Sequence, residues 1–532
     1  MMPAADRYVL AIDMGSGSLK VALVSHRAEV IAAAEQEVHT RFLTGGGAVQ
    51  DPNEWWSAVL HCARETLSRA HVPPEQVLAL RCTTQWAVTL PVDEQGEPLT
   101  HALSWMDTRG GPHSRALVSG PIEFGGYDVF KLSRWIRFTG GAPTRSGVDG
   151  LGHVLFLKYE QPDVYARTHK LLEPMDYLNL KLTGRIAASY GTIFPYWLTD
   201  NRDPCKIDYD PRLLRLAKIE RTKLPDLLPV DAVLGALRPA VAEALRLPTT
   251  TKVFTGLCDG PAATIGAGIV DDYEGYFYIG TTSWLSCHVP KKKTDLMHSI
   301  LTMPAALPGR YMVVAEQGMA GRCLEFLKDN LLYPPGEPGV EIPVNIYEVL
   351  NAHATKVAAG SDGLIFTPWI NGVLAPSEEP ATRSAFFNQS ARTTRSHYVR
   401  AVMEGVAFNL RWLKRHVEKF VGRRFEHLNF IGGAALSDVW CQILADILGC
   451  PIRRVADPRY ANAVGAALTA FVALGEIQVE DIPSLVKISS VYQPDPSSRQ
   501  VYDRQFAEFM ACFRRMKPIY RRLNPALRAK GA

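Results

Sequence analysis

The sequence predicts an α/β protein built as two lobes that face each other across a cleft. Three observations lead there. At 532 residues the chain exceeds the roughly 250–300 residues at which a single core stops growing. A strand, a turn of glycine and hydroxyl residues and a second strand occur near the start, from Tyr8 to Val24, and the same pattern returns from Tyr273 to Val289. A strand that ends in paired glycines before a helix then follows at Leu428–Leu448. Pro248-Thr249-Thr250 introduces the strand that opens the second half, so the lobes are expected at residues 1–250 and 251–532.

In order along the chain, Tyr8–Asp13 is an apolar strand, Met14-Gly15-Ser16-Gly17-Ser18 a turn, and Leu19–Val24 an alternating strand, with a third near Val30–Val38 completing a meander. Asp51-Pro52-Asn53-Glu54 then reads as a helix start, with a capping carboxylate, proline at the first helical position and glutamate three after the cap. That helix should bury Trp55, Val59, Ala63 and Leu67 on adjoining turns. The strand Val77–Thr83 leads into Thr84-Gln85-Trp86, and Leu103–Thr108 runs into Trp105-Met106-Asp107-Thr108-Arg109. Gly110–Gly152, rich in glycine, reads as an insertion or cover over one end of the sheet. The second half adds a strand at Lys252–Leu257 and helices near Gly321–Leu332, Ser396–Val421 and Ala461–Leu474.

Composition narrows the function. With 47% hydrophobic and 21% charged residues the chain is neither disordered nor collagen-like. A net charge of +4 over this length gives no general field for nucleic acid or an anionic membrane, so neither is expected as a partner. The nine cysteines are scattered singly between Cys62 and Cys512, which suits reduced thiols and no structural zinc. No signal peptide and no apolar run of about 18 residues is read from the sequence. A cytoplasmic protein is expected. The basic stretch Arg514, Arg515, Lys517, Arg521 and Arg522 reads as charge on the outer face of a terminal helix.

The chemistry concentrates at the strand ends. Asp13 precedes Gly15-Ser16-Gly17-Ser18, where glycines admit a phosphate to the backbone and N–H groups and hydroxyls donate to its oxygens. Gly280-Thr281-Thr282-Ser283 repeats the offer. Either turn alone is equally a tight hairpin. Neither fits the P-loop or the dinucleotide fingerprint. The remaining solution holds phosphates between two hairpins, with the nucleoside against Phe430-Ile431-Gly432-Gly433-Ala434. Asp259, at a strand end and flanked by glycines, suits the base that accepts an acceptor hydroxyl's proton in phosphoryl transfer; a helix cap is its plainer alternative. Trp86 and Trp105 offer aromatic faces for the C–H side of a sugar, or else belong to the core. Gln85 and Asp107 can bond its hydroxyls.

Taken together these segments resemble the FGGY carbohydrate kinases, the family of xylulokinase, ribulokinase, gluconokinase and glycerol kinase. The resemblance runs through AIDMGSGSLK, the W-x-D-x-R of Trp105-Asp107-Arg109, LEPMDYLNLKLTG at 172–184, the Asp259 segment, YIGTTSW, GLIFTPWINGVLAP at 363–376, RSAFF at 383–387, RAVMEGVAFNLR at 400–411 and IGGAALSDVWCQILADILGCPI. It implies two RNase H-like lobes of the actin-like ATPase fold, with ATP and Mg²⁺ bound in the cleft and a small sugar or polyol as acceptor. By matching motif, Asp259 takes the catalytic-base position and also nears the metal, and Asp13 the position that orients Mg²⁺. Ser16, Gly17, Ser18, Lys20, Gly280 and Thr281 fall at phosphate-holding positions, and Gly321, Gly433 and Asp438 near the nucleoside. Gln85, Trp86, Trp105 and Asp259 fall on the acceptor side.

The departures bear on the acceptor. Xylulokinases usually read Q-M-H-G where this chain has Gln85-Trp86-Ala87-Val88, and Asp-Asn where it has Asp259-Gly260. A glycerol kinase would carry Arg-Glu at Trp86-Ala87 and Asp-Gln at the second place. His153 and Phe156 replace a family Lys and Trp, read here as a packing variation. A xylulose-like ketose is the first expectation, with other ketoses and polyols open. A catalytically silent nucleotide or sugar sensor and an actin-like filament protein are the competing classes, and both leave the retained Asp13 and Asp259 or the sugar-side motifs unexplained. A homodimer is left open.

Overall fold

The computed structural model describes residues 6–337, 339 and 341–525. Residues 1–5, on which the reading of a leaderless start partly rests, lie outside them.

The first sheet has seven strands: β1 (Tyr8–Met14), β2 (Ser18–Ser25), β3 (Val30–Glu37), β4 (Val77–Thr84), β5 (Val233–Ala236), β6 (Lys252–Phe254) and β7 (Leu257–Cys258). Their order is β5-β6-β4-β1-β2-β3, with β7 also alongside β4. Every residue of β1 is buried, as expected of an apolar run covered on both faces. The predicted strand 252–257 is interrupted: Thr255 donates its hydroxyl to the carbonyls of Pro229 (3.0 Å) and Val230 (2.9 Å), and pairing resumes at β7.

The second sheet comprises β8 (Gly275–Ile279), β9 (Ser283–Val289), β10 (Thr294–Asp295), β11 (Ile300–Pro304), β12 (Tyr311–Val314), β13 (Glu316–Gln317), β14 (Leu428–Ile431), β15 (Ile452–Val455) and β16 (Ile488–Tyr492). Its order is β10-β11-β12-β9-β8-β14-β15-β16, with β13 on β9. Around each hairpin the senses agree. β12-β9-β8 and β3-β2-β1 are antiparallel throughout, the latter a simple meander and the former reached after β10 and β11, and β14 on β8 matches β4 on β1, both parallel. The echo read from the two turns is thus an echo of sheet topology.

Helix α1 (Pro52–Ala70) is capped by Asp51, which accepts the Asn53 N–H at 2.9 Å. Glu54 does not turn back to close a capping box. It accepts the His39 N–H and pairs with the His39 ring, tying the helix to the end of the meander. The stretch expected to be loop-rich is a small helical layer, α2 (Gly111–Val118), α3 (Val129–Phe138) and the start of α4 (Gly150–Glu160). It has its own core, in which Trp135, Phe138, Leu151 and Tyr196 meet Met303 and Met312 of the second half. Packed side chains at 3.6-residue spacing outweigh the glycines there.

Further helices that bear on the site are α5 (Asp259–Gly266), α6 (Gly321–Leu327), α7 (Arg395–Val421), α8 (Asp438–Leu448), α9 (Ala461–Leu474) and α10 (Arg499–Leu523). The pair α5 and α9 joins the halves. A Cβ on Gly266 would strike the Ala461 carbonyl and one on Gly465 the Ala262 carbonyl, so only glycine permits this crossing. Around the pair, Val9, Ala11 and Val24 of the first sheet share one core with Tyr276 and Ile431 of the second. No described helix is long and apolar enough to cross a membrane. In the basic terminal helix, Lys517 and Arg521 pair with the buried carboxylate of Glu379, at 2.6 and 2.7 Å, while their own side chains stay partly exposed, so part of the charge on this face is neutralised within the chain.

Candidate active site

One wall of the cleft is built from the first hairpin. The β1–β2 register sets Asp13 opposite Lys20, and the Gly15 N–H closes the turn on the Ser18 carbonyl at 2.9 Å. Asp13 is 5% exposed. Burial pushes its carboxyl up, against the pull of the Lys20 charge and a hydrogen bond from the Asn462 side chain on α9. Ser18 Oγ accepts from Lys20 Nζ at 3.3 Å. Gly17 is exposed with nothing near the place a Cβ would occupy, which leaves its backbone open to a ligand.

The acceptor candidates hang from this turn. Trp105 Nε1 donates to Ser16 Oγ at 2.8 Å, and Gln50 Nε2 donates to the Ser16 carbonyl at 2.9 Å. Gln85 Nε2 donates to Gln50 Oε1 at 2.7 Å, while Gln85 Oε1 is buried without a partner. Trp86 is half-buried and stacks on Phe194, with centroids 5.9 Å apart and planes 8° from parallel. Asp107 is different from the expectation. Its carboxylate accepts the Ala48 N–H at 3.0 Å and a fork from Arg109, and it is fully buried. It shapes the loop and has no arm to extend to a hydroxyl.

Asp259 is delivered by β7, whose Leu257 and Cys258 pair with Thr83 and Thr84. It is the first residue of α5; the cap position is Cys258, which makes no side-chain cap. Among the described residues its carboxyl accepts the adjacent Gly260 N–H, at 2.8 Å, and no N–H further into the helix, so the plain capping alternative finds little support. Protein crowding lifts the Asp259 carboxyl to about 7, the Gly260 N–H opposes this, and the Asp13 charge adds to it. Asp13 and Asp259 therefore share one electrostatic neighbourhood.

The opposite wall is mostly backbone. The Gly280 N–H closes its turn on the Thr282 carbonyl at 3.0 Å, while the Gly280 carbonyl accepts the Gly321 N–H at 2.8 Å and the Thr281 carbonyl the Ala320 N–H at 3.1 Å. Gly321 has to be glycine, because a Cβ would strike the Gly280 carbonyl. Beside this turn Tyr278 stacks on Trp284, centroids 4.0 Å apart. Gly432 takes a positive φ of 97° and passes close to the Ile279 carbonyl, and Gly433 faces open space. Asp438 stands apart from the other candidates. Its carboxylate is already held by Arg454 and by the Tyr492 hydroxyl, both at 2.6 Å.

Four contributors escaped the sequence reading: Gln50, Phe194, Asn462 and Glu316. Gln50 and Phe194 lie in ordinary surroundings, and Asn462 reaches Asp13 across most of the chain; no local pattern marks them. Glu316 had a signal, an acid inside the glycine-bearing segment EQGMAG. Among the described residues no cluster of three metal-ligating side chains occurs. Asp13 and Asp259 suit a hard cation that arrives with phosphates and keeps most of its ligands from them and from water.

The N-terminal domain model of the FGGY family of carbohydrate kinases matches residues 8–266, and the C-terminal domain model matches residues 275–474. Xylulose kinase of Staphylococcus epidermidis is 24% identical over 522 residues, covering 96% of this chain and 97% of that protein. Gluconokinase of Bacillus subtilis is 24% identical over 490 residues, 92% of each. The crystal structure of gluconate kinase from Lactobacillus acidophilus superposes with a TM-score of 0.83 at 20% identity, over 98% of this chain and all of that one. That likeness speaks for the fold, and the two family models cover most of the chain. On these matches, and with the two-hairpin cleft in place, the chain belongs to the FGGY family of carbohydrate kinases.

Proposed function

We propose that this kinase transfers the γ-phosphoryl group of ATP to a hydroxyl of a small sugar or polyol, with a xylulose-like ketose as the first acceptor to test, and that Asp259 is its base. The observation that carries the reading is Asp259 itself: a carboxyl at about 7, raised by burial and by the Asp13 charge, that among the described residues meets no side-chain hydrogen-bond partner. A base poised near neutrality is what proton abstraction from a hydroxyl favours. The acceptor oxygen forms its bond to the γ-phosphorus as the bond to the bridging oxygen breaks, ADP leaves, and the hydroxyl proton passes to Asp259. Ser16, Gly17, Ser18, Lys20, Gly280 and Thr281 would hold phosphates, with Gly321 and Gly433 toward the nucleoside. Bound Mg²⁺, oriented through Asp13, would neutralise charge on the transferring group. Trp86 and Trp105 offer the faces for the sugar's C–H side, and Gln85 Oε1 a free acceptor for one hydroxyl.

A cytoplasmic setting, where ATP meets reduced thiols, belongs to the same proposal. The test is a screen of ketoses, aldoses, polyols and sugar acids with Mg-ATP, reading ADP release, while sedimentation reads whether the enzyme works as a homodimer. Acceptor-dependent ADP release supports the reading. Nucleotide and sugar binding without release would replace it by a silent sensor.

A further inference from the structure

Glu316 brings a carboxyl to a wall that is otherwise mostly backbone. Its strand neighbours fix where it points. Ala315 lies in the core of the second lobe, and Gln317 Nε2 donates to the Asn409 carbonyl at 2.7 Å inside that lobe, so the residue between them projects to the other face. In the β9–β13 register Glu316 sits opposite Trp284, and residues directly opposite share a face. Trp284 Nε1 donates to the Tyr276 hydroxyl at 3.0 Å, which donates to the Gly260 carbonyl at 3.1 Å, one residue from Asp259. Met312, earlier on the same face, has its sulfur 3.9 Å from Thr264 Oγ1 on α5. Glu316 is therefore half-buried in the cleft and aimed at the Asp259 end of α5. Among the described residues no side chain or backbone group hydrogen bonds its carboxyl.

We propose that Glu316 sets acceptor specificity by rejecting sugar acids, so that the acceptor is a neutral polyhydroxy compound. This rests on the kinase reading above. A carboxyl without a protein partner can accept hydrogen bonds from two hydroxyls of a neutral acceptor. An aldonate would instead set its own carboxylate against that of Glu316, and like charges across a recognition surface discriminate strongly. Among the described residues of the site, Arg109 is forked on Asp107 and Lys20 donates to Ser18 Oγ in the phosphate turn, so neither cation is directed at an acceptor's carboxylate. Burial, and then the Asp259 charge, raise the Glu316 carboxyl to about 7, so Glu316 is ionised at pH 8.5. The question is a live one for this chain, because its relatives include proteins named for a ketose, xylulose, and for an acid, gluconate.

The experiment measures kcat/KM for D-xylulose, xylitol and gluconate at pH 8.5 in the unmodified enzyme, Glu316→Gln and Glu316→Ala, with thermal stability and ATP affinity for each. The expected result is that the unmodified enzyme prefers a neutral acceptor and that both variants lower the neutral-to-gluconate ratio by about tenfold or more. A ratio unchanged in folded, ATP-binding variants overturns the inference and leaves the kinase reading standing. So does an unmodified enzyme that prefers gluconate. Absence of turnover on every acceptor overturns both.

Discussion

The two walls of the cleft are made from the same topology and do opposite kinds of work. In the first lobe the hairpin turn presents side chains: Asp13 facing Lys20, Ser16 held by Trp105, and Asp259 delivered beside them by β7. In the second lobe the matching turn presents backbone, with Gly280 and Thr281 stitched to Ala320 and Gly321 and with Gly432 passing under Ile279. The difference teaches that the fold supplies two equivalent strand ends, and that residue choice then makes one chemical and the other geometrical. Acidic and basic side chains are concentrated at the first turn, while close backbone approach is concentrated at the second.

If that division is right, the largest effect belongs to Asp259→Asn, which preserves shape and removes the proton acceptor. Turnover on the best acceptor should fall about 10²–10⁴-fold with ATP affinity retained; near-normal turnover would show that the first wall is not the chemical one. The pH dependence sharpens the same point. Because the Asp259 carboxyl sits at about 7 and acts as base only when ionised, kcat/KM should fall about tenfold per pH unit below 7 and level off above it. A fall centred near pH 4 instead would break the link between the crowding around Asp259 and its role.

The second wall should fail differently. Gly321→Val places side-chain atoms against the Gly280 carbonyl, and overpacking of this kind costs about 1–3 kcal/mol. ATP affinity, read by calorimetry, should drop about tenfold or more, while turnover at saturating ATP changes less. Equal loss in turnover would erase the contrast. The smallest effect is expected of Trp105→Phe, which keeps an aromatic face and loses the bond to Ser16 Oγ, worth about 0.5–1.5 kcal/mol. The acceptor's KM should rise a few-fold with the melting temperature nearly unchanged; a large loss of stability would return Trp105 to the core.

Local physics made much of this legible from the sequence. The strand Tyr8–Met14, the helix Ala461–Leu474 and the two glycine and hydroxyl turns follow from apolar periodicity and turn chemistry, which neighbouring residues decide among themselves. Asp13 and Asp259 stood out because an acid at a strand end beside glycines is conspicuous. The predicted Lys252–Leu257 strand was right in kind and wrong in continuity, since its break depends on Thr255 reaching Pro229 and Val230.

The sequence by itself determined the α/β class, the positions of both turns and the residues proposed for phosphoryl chemistry, because each is written within a dozen neighbouring residues. Tertiary structure alone decided which of them meet. Trp105 reaches Ser16 across 89 positions, Asn462 reaches Asp13 from the far end of the chain, Asp107 is consumed by Ala48 and Arg109, and Glu316 turns toward Asp259 because its strand neighbours are committed to the opposite side. Such pairings depend on which faces two sheets present to each other once α5 and α9 have crossed, a constraint that no window of sequence contains.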